Sequence, residues 1–205
     1  MPQKLILIRH GALDAEYAGR FVGSTDAGLS VAGRRQAAAL GGYLEKTGAA
    51  QVIVSPLRRA RETADFALDS TGRKYTVDDG LREIDFGAWE KKTFDEISRE
   101  DSINAERWGR FDYDFAFPGG ESLQSFIDRI GDLALRIASD PAQTILAITH
   151  GGVIRFLICH FLGLEPRHYL LFNVDFGSIS AIDLFDGAGV LTRLNDVCHL
   201  EEING

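Results

Sequence analysis

Three short apolar segments of the sequence each end in a cluster of polar and cationic residues. The clusters occupy residues 9–11 (Arg-His-Gly), 55–59 (Ser-Pro-Leu-Arg-Arg) and 149–152 (Thr-His-Gly-Gly). Neighbouring cations repel each other unless an anion lies between them. Arginine offers a planar fork of N–H donors that matches phosphate oxygens, and glycine lets backbone N–H groups approach an anion closely. The three clusters together predict a site for a phosphoryl group.

The segments that precede the clusters, 4–8, 51–54 and 144–148, are short and continuously apolar, which is typical of strands buried on both faces. Segments with helical patterns alternate with them: 29–48, 57–72, 121–140 and 153–164. This alternation predicts an α/β fold of three layers, α/β/α, around a mostly parallel sheet. Because ligand sites in such sheets lie beyond the carboxyl ends of the strands, we expect the three clusters to meet there.

Two further segments complete the predicted domain, which spans residues 1–205. Residues 178–186 and 190–197 form a terminal antiparallel pair that turns at Gly187-Ala188-Gly189 and supplies one antiparallel edge strand. Residues 88–120 combine many aromatic and charged side chains, which predicts a small lid inserted into the domain. The aromatic residues at 108–117 either fill the core of this lid or stack on a ring of the substrate.

Composition excludes several classes of function. The 22 basic and 30 acidic residues give a net charge of −8, which argues against a surface that binds nucleic acid. No apolar run approaches the roughly 20 residues of a membrane span. Metal-ligand spacings are absent from the cysteines and histidines, so we expect neither a metal nor a cofactor. The chain enters a strand without a secretory leader, which predicts a cytoplasmic protein; a homodimer stays open.

The order and spacing of the motifs resemble the histidine phosphatase superfamily, in the branch that contains cofactor-dependent phosphoglycerate mutases, small phosphomonoesterases and α-ribazole phosphatases. The resemblance covers nearly the whole chain, through "LIRHG", "GRFVGSTDAGLSVAGRRQA", "VSPLRRARETA", "LREIDFGAWE", "FPGGES" and "THGGVIR". It implies that His10 is the nucleophile and Glu83 the general acid. It also implies that Arg9, Arg59 and His150 bind the phosphoryl group, with Arg59 rather than Arg58 as the matching arginine of its motif. We expect His150 to be protonated in this role.

Four further residues are expected at the substrate. The backbone N–H groups of Gly11 and Gly151 are candidate phosphate donors, and Gly23 lies in one of the matching motifs. Glu16 stands where the family often has asparagine, and a carboxylate there would repel a phosphate. Glu16 therefore either points away or contacts a cationic or hydroxyl-bearing part of the substrate.

The resemblance implies a metal-independent phosphomonoesterase of the histidine acid phosphatase type, which forms a phosphohistidine. The segment 88–120 is short and the chain ends soon after the last strand, whereas mutases of the family generally have longer insertions and tails. We therefore expect net hydrolysis of a small phosphorylated metabolite, with α-ribazole 5′-phosphate as a candidate. A mutase-type isomerase and a non-catalytic phosphate-binding module are the alternatives.

Overall fold

The computed structural model describes residues 2–186 and 188–203. Its strands are β1 (Gln3–Arg9), β2 (Gln51–Val54), β3 (Thr76–Val77), β4 (Thr144–Thr149), β5 (Ile179–Phe185) and β6 (Ala188–Asp196). Its α-helices are α1 (Val31–Lys46), α2 (Arg58–Leu68), α3 (Phe94–Glu100), α4 (Ser102–Gly109), α5 (Leu123–Ser139) and α6 (Gly151–Phe161). Short 3-10 turns connect several of these elements. Within the described residues, none of the helices combines the length and apolar character that a membrane span requires.

The strands form one mixed sheet in the order β3-β2-β4-β1-β5-β6. The pairs β3-β2, β2-β4 and β4-β1 are parallel, while β5 is antiparallel to both β1 and β6. The predicted mostly parallel sheet is confirmed, but the antiparallel strand β5 lies one place inside the edge. The reason is burial, because β5 is almost wholly buried while β6 alternates towards solvent. The residue Gly187 of the predicted turn lies outside the described residues.

Two apolar clusters on opposite faces of the sheet make the three layers. Leu5 and Leu7 of β1 face a cluster with α5 and α6, whereas Ile6 and Ile8 face a cluster with α1 and α2. Successive strand side chains point to opposite faces, so a continuous apolar run can serve both layers. The predicted three-layer α/β/α fold is therefore confirmed.

The ends of the helices follow local chemistry. Ser30 caps α1, since its hydroxyl accepts a hydrogen bond from the Gly33 N–H at 3.0 Å. Helix α6 begins at Gly151, two residues earlier than the sequence pattern indicates. The Glu83 carboxylate accepts a hydrogen bond from the Gly152 N–H, which satisfies one of the free donors of this first turn. The glycines after His150 are thus part of the helix and do not precede it.

The segment 88–120 contains α3 and α4 and packs on the loop that follows β1. Backbone hydrogen bonds join Phe21 to Lys91 and Lys92 at 2.8 and 2.9 Å. Helix α3 begins with a capping box made by Thr93 and Glu96. These contacts fix the inserted segment beside the carboxyl end of the sheet.

Candidate active site

The parallel strands bring the predicted clusters to one edge of the sheet. Arg9 at the end of β1 pairs with Thr149 at the end of β4, and β2 ends beside them. The rings of His10 and His150 consequently lie side by side, with centroids 5.1 Å apart. The sequence prediction that two histidines and two arginines converge here agrees with this geometry.

His10 is held as a neutral imidazole. Its Nδ1 lies 2.8 Å from the Gly11 carbonyl oxygen, and because a carbonyl only accepts, Nδ1 carries the proton. The lone pair is therefore on Nε2. Burial lowers the pKa of His10 well below its usual value, and the charges of Arg59 and Arg9 lower it further. The arrangement leaves a nitrogen nucleophile beside fixed positive charge.

The Gly11 N–H does not face the cavity. It donates to the Thr63 hydroxyl at 3.1 Å, so the expected role of this N–H in phosphate binding is wrong in this structure. No Cβ fits at Gly11 either, because it would overlap the carbonyl of Gly33. Gly11 instead brings β1 close to helices α1 and α2 and orients the His10 ring.

Arg9 presents a partly buried cation to the same cavity. Its Nη1 donates to the Val174 carbonyl at 2.6 Å, and its Cζ lies 3.9 Å from the centre of the Phe176 ring. Its Nε finds no hydrogen-bond partner within the described residues. Burial lowers the pKa of Arg9 to about 10, while Glu83 opposes that change. A partly buried guanidinium whose Nε is buried and unpartnered is a ready site for an anion.

Arg59 and His150 lie together beneath the cavity. Arg59 Nε donates to His150 Nδ1 at 3.2 Å, so His150 carries its proton on Nε2, which lies 2.7 Å from the Ser55 hydroxyl. Burial, followed by the charge of Arg59, holds the pKa of His150 well below its usual value. The expected protonated His150 is therefore wrong: this histidine is neutral and bonded to protein on both nitrogens.

Arg59 is fully buried and does not line the cavity. Besides its bond to His150, it donates to the carbonyls of Thr25, Val22 and Gly23 at 2.8, 3.3 and 2.8 Å. Of its five N–H donors, one on Nη1 is left over. Arg58 is exposed and forms an ion pair with Glu62, so Arg59 is the arginine of this motif that lies beneath the site and contacts His150.

The Glu83 carboxyl lines the same cavity as His10. Backbone N–H groups of Gly152 and Ile84 donate to its two oxygens at 3.0 and 3.1 Å. A Cβ on Gly152 would overlap Oε1, so the glycine makes the space in which this carboxyl lies. Glu83 is thus positioned by the first turn of α6, next to Gly151, where a Cβ would lie 3.4 Å from Arg9 Nε.

The cavity has a volume of about 300 Å³ and two chemically different parts. Its polar part contains Arg9, His10, Glu83, Gly151 and Arg155. Its apolar part includes Phe21, Ile84, Phe86, Trp108, Phe117 and Phe126. The cavity can therefore hold an anion next to a nucleophile, with apolar bulk attached to that anion.

The aromatic residues at 108–117 divide between the two roles expected for them. Phe111 and Phe115 are buried in the main core cluster, and Tyr113 is exposed. Trp108 and Phe117 line the cavity. Of these five rings, two therefore serve packing, one faces solvent and two are offered to a bound molecule.

Like Gly11, Arg59 and His150, the predicted binding residues Glu16 and Gly23 lie outside the cavity wall. Glu16 is exposed on a 3-10 turn (Ala15–Tyr17), and it is Tyr17 that lines the cavity. Burial and then the Glu16 carboxylate raise the pKa of Tyr17. Gly23 is buried, and its carbonyl accepts from Arg59. Glu16 therefore points away from the anion, and Gly23 supports Arg59.

Arg155 is a cavity residue that the sequence analysis missed. Its Nε donates to the Phe172 carbonyl at 2.9 Å, while its terminal nitrogens have no hydrogen-bond partner among the described residues. The sequence could have indicated this position, because Arg155 follows Gly151 by four residues and the two therefore share one face of α6. Its charge also lowers the pKa of Arg9, so a second cation lies near the first.

Comparison with known proteins agrees with this geometry. A family model described as histidine phosphatase superfamily (branch 1) matches residues 5–197. The chain belongs to the histidine phosphatase superfamily. As a histidine phosphatase, it is 32% identical over 194 residues to the adenosylcobalamin/alpha-ribazole phosphatase of Salmonella typhimurium, covering 94% of this chain and 96% of that protein.

A solved histidine phosphatase structure has the same fold. It is the phosphoserine phosphatase of Entamoeba histolytica in complex with 3-phosphoglyceric acid, with a TM-score of 0.84 and 30% identity over 97% of this chain and 99% of that one. A bifunctional protein of Mycobacterium tuberculosis is 34% identical over 204 residues, which are 97% of this chain and 55% of that protein. The chain thus spans about half the length of this relative. These relatives support phosphatase activity, but their names give different substrates and do not select one for this chain.

Proposed function

We propose that the protein hydrolyses small phosphomonoesters through a phosphohistidine at Nε2 of His10. The observation that carries this proposal is the state of His10, whose Nδ1–H is bound by the Gly11 carbonyl and whose Nε2 keeps its lone pair. A neutral imidazole nitrogen attacks phosphorus without an alkoxide having to form, and the covalent intermediate divides a difficult hydrolysis into two easier steps.

In the first step Nε2 of His10 forms a bond to phosphorus as the bond from phosphorus to the ester oxygen breaks. The protonated Glu83 carboxyl gives its proton to that oxygen, so the alcohol leaves neutral. Glu83 suits this role because two backbone N–H groups hold it at the cavity wall. In the second step a water attacks the phosphohistidine, Glu83 takes a proton from that water, and phosphate is released with Nε2 restored.

Positive charge on the protein would stabilise the transferring phosphoryl group. Arg9 has an unsatisfied buried Nε, the N–H of Gly151 begins α6, and Arg59 keeps one spare N–H beneath the site. Such preorganised donors usually provide most of the rate acceleration in phosphoryl transfer. Metal independence is part of this proposal, since guanidinium groups supply the charge that a metal would otherwise bring.

The residues of the cavity wall favour two classes of substrate, which differ in the alcohol that carries the phosphate. The aromatic and aliphatic lining, with Trp108 and Phe117, favours an apolar ring such as the base of α-ribazole 5′-phosphate. The unpartnered end of Arg155 favours a second anionic group instead, as in phosphoserine. We take the first as the leading candidate because apolar side chains make up most of the wall.

The test uses His10→Ala with p-nitrophenyl phosphate as substrate. We expect hydrolysis to be lost while the circular dichroism spectrum stays that of the wild type, and we expect the wild type to form an acid-labile phosphoenzyme. His160→Ala is the matched control, because His160 is exposed on α6 away from the cavity. Turnover that survives in His10→Ala would refute the mechanism, and loss of rate in chelator that added metal restores would refute metal independence.

A further inference from the structure

The Glu90 carboxylate collects hydrogen bonds from the loop that follows β1. It accepts from the backbone N–H groups of Gly23, Ser24 and Thr25 at 3.0, 2.9 and 3.2 Å. The Thr25 hydroxyl and the Phe86 N–H add further bonds. All of these N–H and hydroxyl groups donate to the two carboxylate oxygens, so the loop is wrapped around the Glu90 anion.

The opposite side of the same peptide groups binds Arg59. The carbonyl of Gly23 accepts from Arg59 Nη2 at 2.8 Å, and the N–H of that same peptide group, on Ser24, donates to Glu90. The preceding peptide group does likewise, through the Val22 carbonyl and the Gly23 N–H. Two peptide dipoles therefore lie between a guanidinium and a carboxylate, each aligned with the field of both charges. Hydrogen bonds in such a chain polarise and strengthen one another.

Burial explains why this link matters for Arg59. A guanidinium that is wholly buried needs a compensating charge, and Arg59 makes no direct ion pair with a carboxylate among the described residues. Burial lowers the pKa of Arg59 to about 10, and the charges of Glu83 and Glu90 oppose it. Gly23 makes the link possible, because a Cβ there would overlap both the Ile84 carbonyl and Glu90 Oε1.

We propose that Glu90 is a positioning residue for Arg59, which it holds and compensates through the peptide groups at 22–24. The inference rests on the proposed function, in which Arg59 contributes to phosphoryl binding. Glu90 does not line the cavity, so its effect on catalysis must pass through the loop and Arg59.

The perturbation is Glu90→Gln. An amide has an NH2 group in place of one oxygen, and whichever way it turns, that group faces N–H donors of residues 23–25 or 86. The loop must then shift, and Arg59 loses carbonyl acceptors. We expect kcat/KM for p-nitrophenyl phosphate to fall about tenfold or more and the Ki of inorganic phosphate to rise similarly, because charge-assisted bonds are roughly twice as strong as neutral ones.

Glu62→Gln is the matched control. Glu62 binds the same loop at the Leu29 N–H and pairs with Arg58, but it has no bond to the peptide groups that hold Arg59. We expect it to change melting temperature without changing the Ki of phosphate. Equal effects of the two variants on that Ki would overturn the proposal, since loosening the loop at any point would then suffice.

A double-mutant cycle with Arg59→Lys decides whether Glu90 acts through Arg59. We expect Glu90→Gln to raise the Ki of phosphate much less in the Arg59→Lys background, because the fork of donors that the loop holds is already gone. Additive effects would overturn the proposal. If Glu90→Gln unfolds below the assay temperature, Glu90→Asp takes its place in the same cycle. A wild type without phosphatase activity would instead refute the proposed function.

Discussion

Replacing Gly152 by alanine tests the placement of Glu83 without touching the carboxyl itself. The new Cβ would overlap Oε1 and lie 3.1 Å from Cδ of Glu83, so the carboxyl must retreat. Relieving the overlap with Oε1 takes a displacement of roughly 1 Å, because ordinary van der Waals contact begins at about 3.4 Å. A misplacement of about 1 Å costs on the order of 100-fold in rate, so we expect a loss of about that size.

The loss of rate should depend on the leaving group, so a comparison of two substrates shows whether proton donation by Glu83 is affected. An alkyl alcohol needs the Glu83 proton in order to leave, whereas p-nitrophenol leaves readily as its anion. We therefore expect Gly152→Ala to lower kcat/KM for glycerol 3-phosphate by about 100-fold and to change it little for p-nitrophenyl phosphate. The ratio kcat/KM is the right measure because it reports the phosphorylation step and is independent of the later hydrolysis.

Folding should survive this substitution. The moving atom is the end of a flexible side chain, and alanine is favoured over glycine in helices by up to about 1 kcal/mol. Gly42→Ala is the control, since a Cβ at that helical position meets nothing within 4 Å. The reasoning is refuted if Gly152→Ala lowers both substrates equally, or if it lowers neither while the melting temperature stays at or above that of the wild type.

Three further outcomes are expected. Arg155→Met should lower kcat/KM for phosphoserine by about tenfold or more while p-nitrophenyl phosphate loses little; equal losses would place Arg155 at the phosphoryl group itself. His10 and His150 have folded pKa values below 6.5, so the unfolded chain binds more protons below that pH. The free energy of unfolding, measured in urea, should therefore fall by on the order of 1 kcal/mol per histidine between pH 7 and 5.5, and a flat profile would contradict their neutral burial. With 3-phosphoglycerate and 2,3-bisphosphoglycerate we expect free phosphate; prompt 2-phosphoglycerate would favour the mutase alternative.

Much of the fold follows from local pattern. The runs at 4–8 and 144–148 are apolar at every position, and only a strand buried on both faces uses such a run fully. The convergence of residues 9–11 with 149–152 then follows from parallel pairing, which the register of Arg9 with Thr149 agrees with. Helix positions were predictable within a few residues, and α6 begins two residues early, where the Gly152 N–H donates to Glu83 from elsewhere in the chain.

Residue types and motif order were therefore enough to predict the sheet, the family and the neighbourhood of His10. The protonation of His150, the buried bonds of the Gly11 N–H and the outward position of Glu16 depended on partners distant in sequence. The tertiary structure also placed Arg155 at the cavity wall and Glu90 beside the loop that binds Arg59. Hydrogen-bond partners and burial set both the charge state and the orientation of a side chain, and these arise only when separated segments pack together.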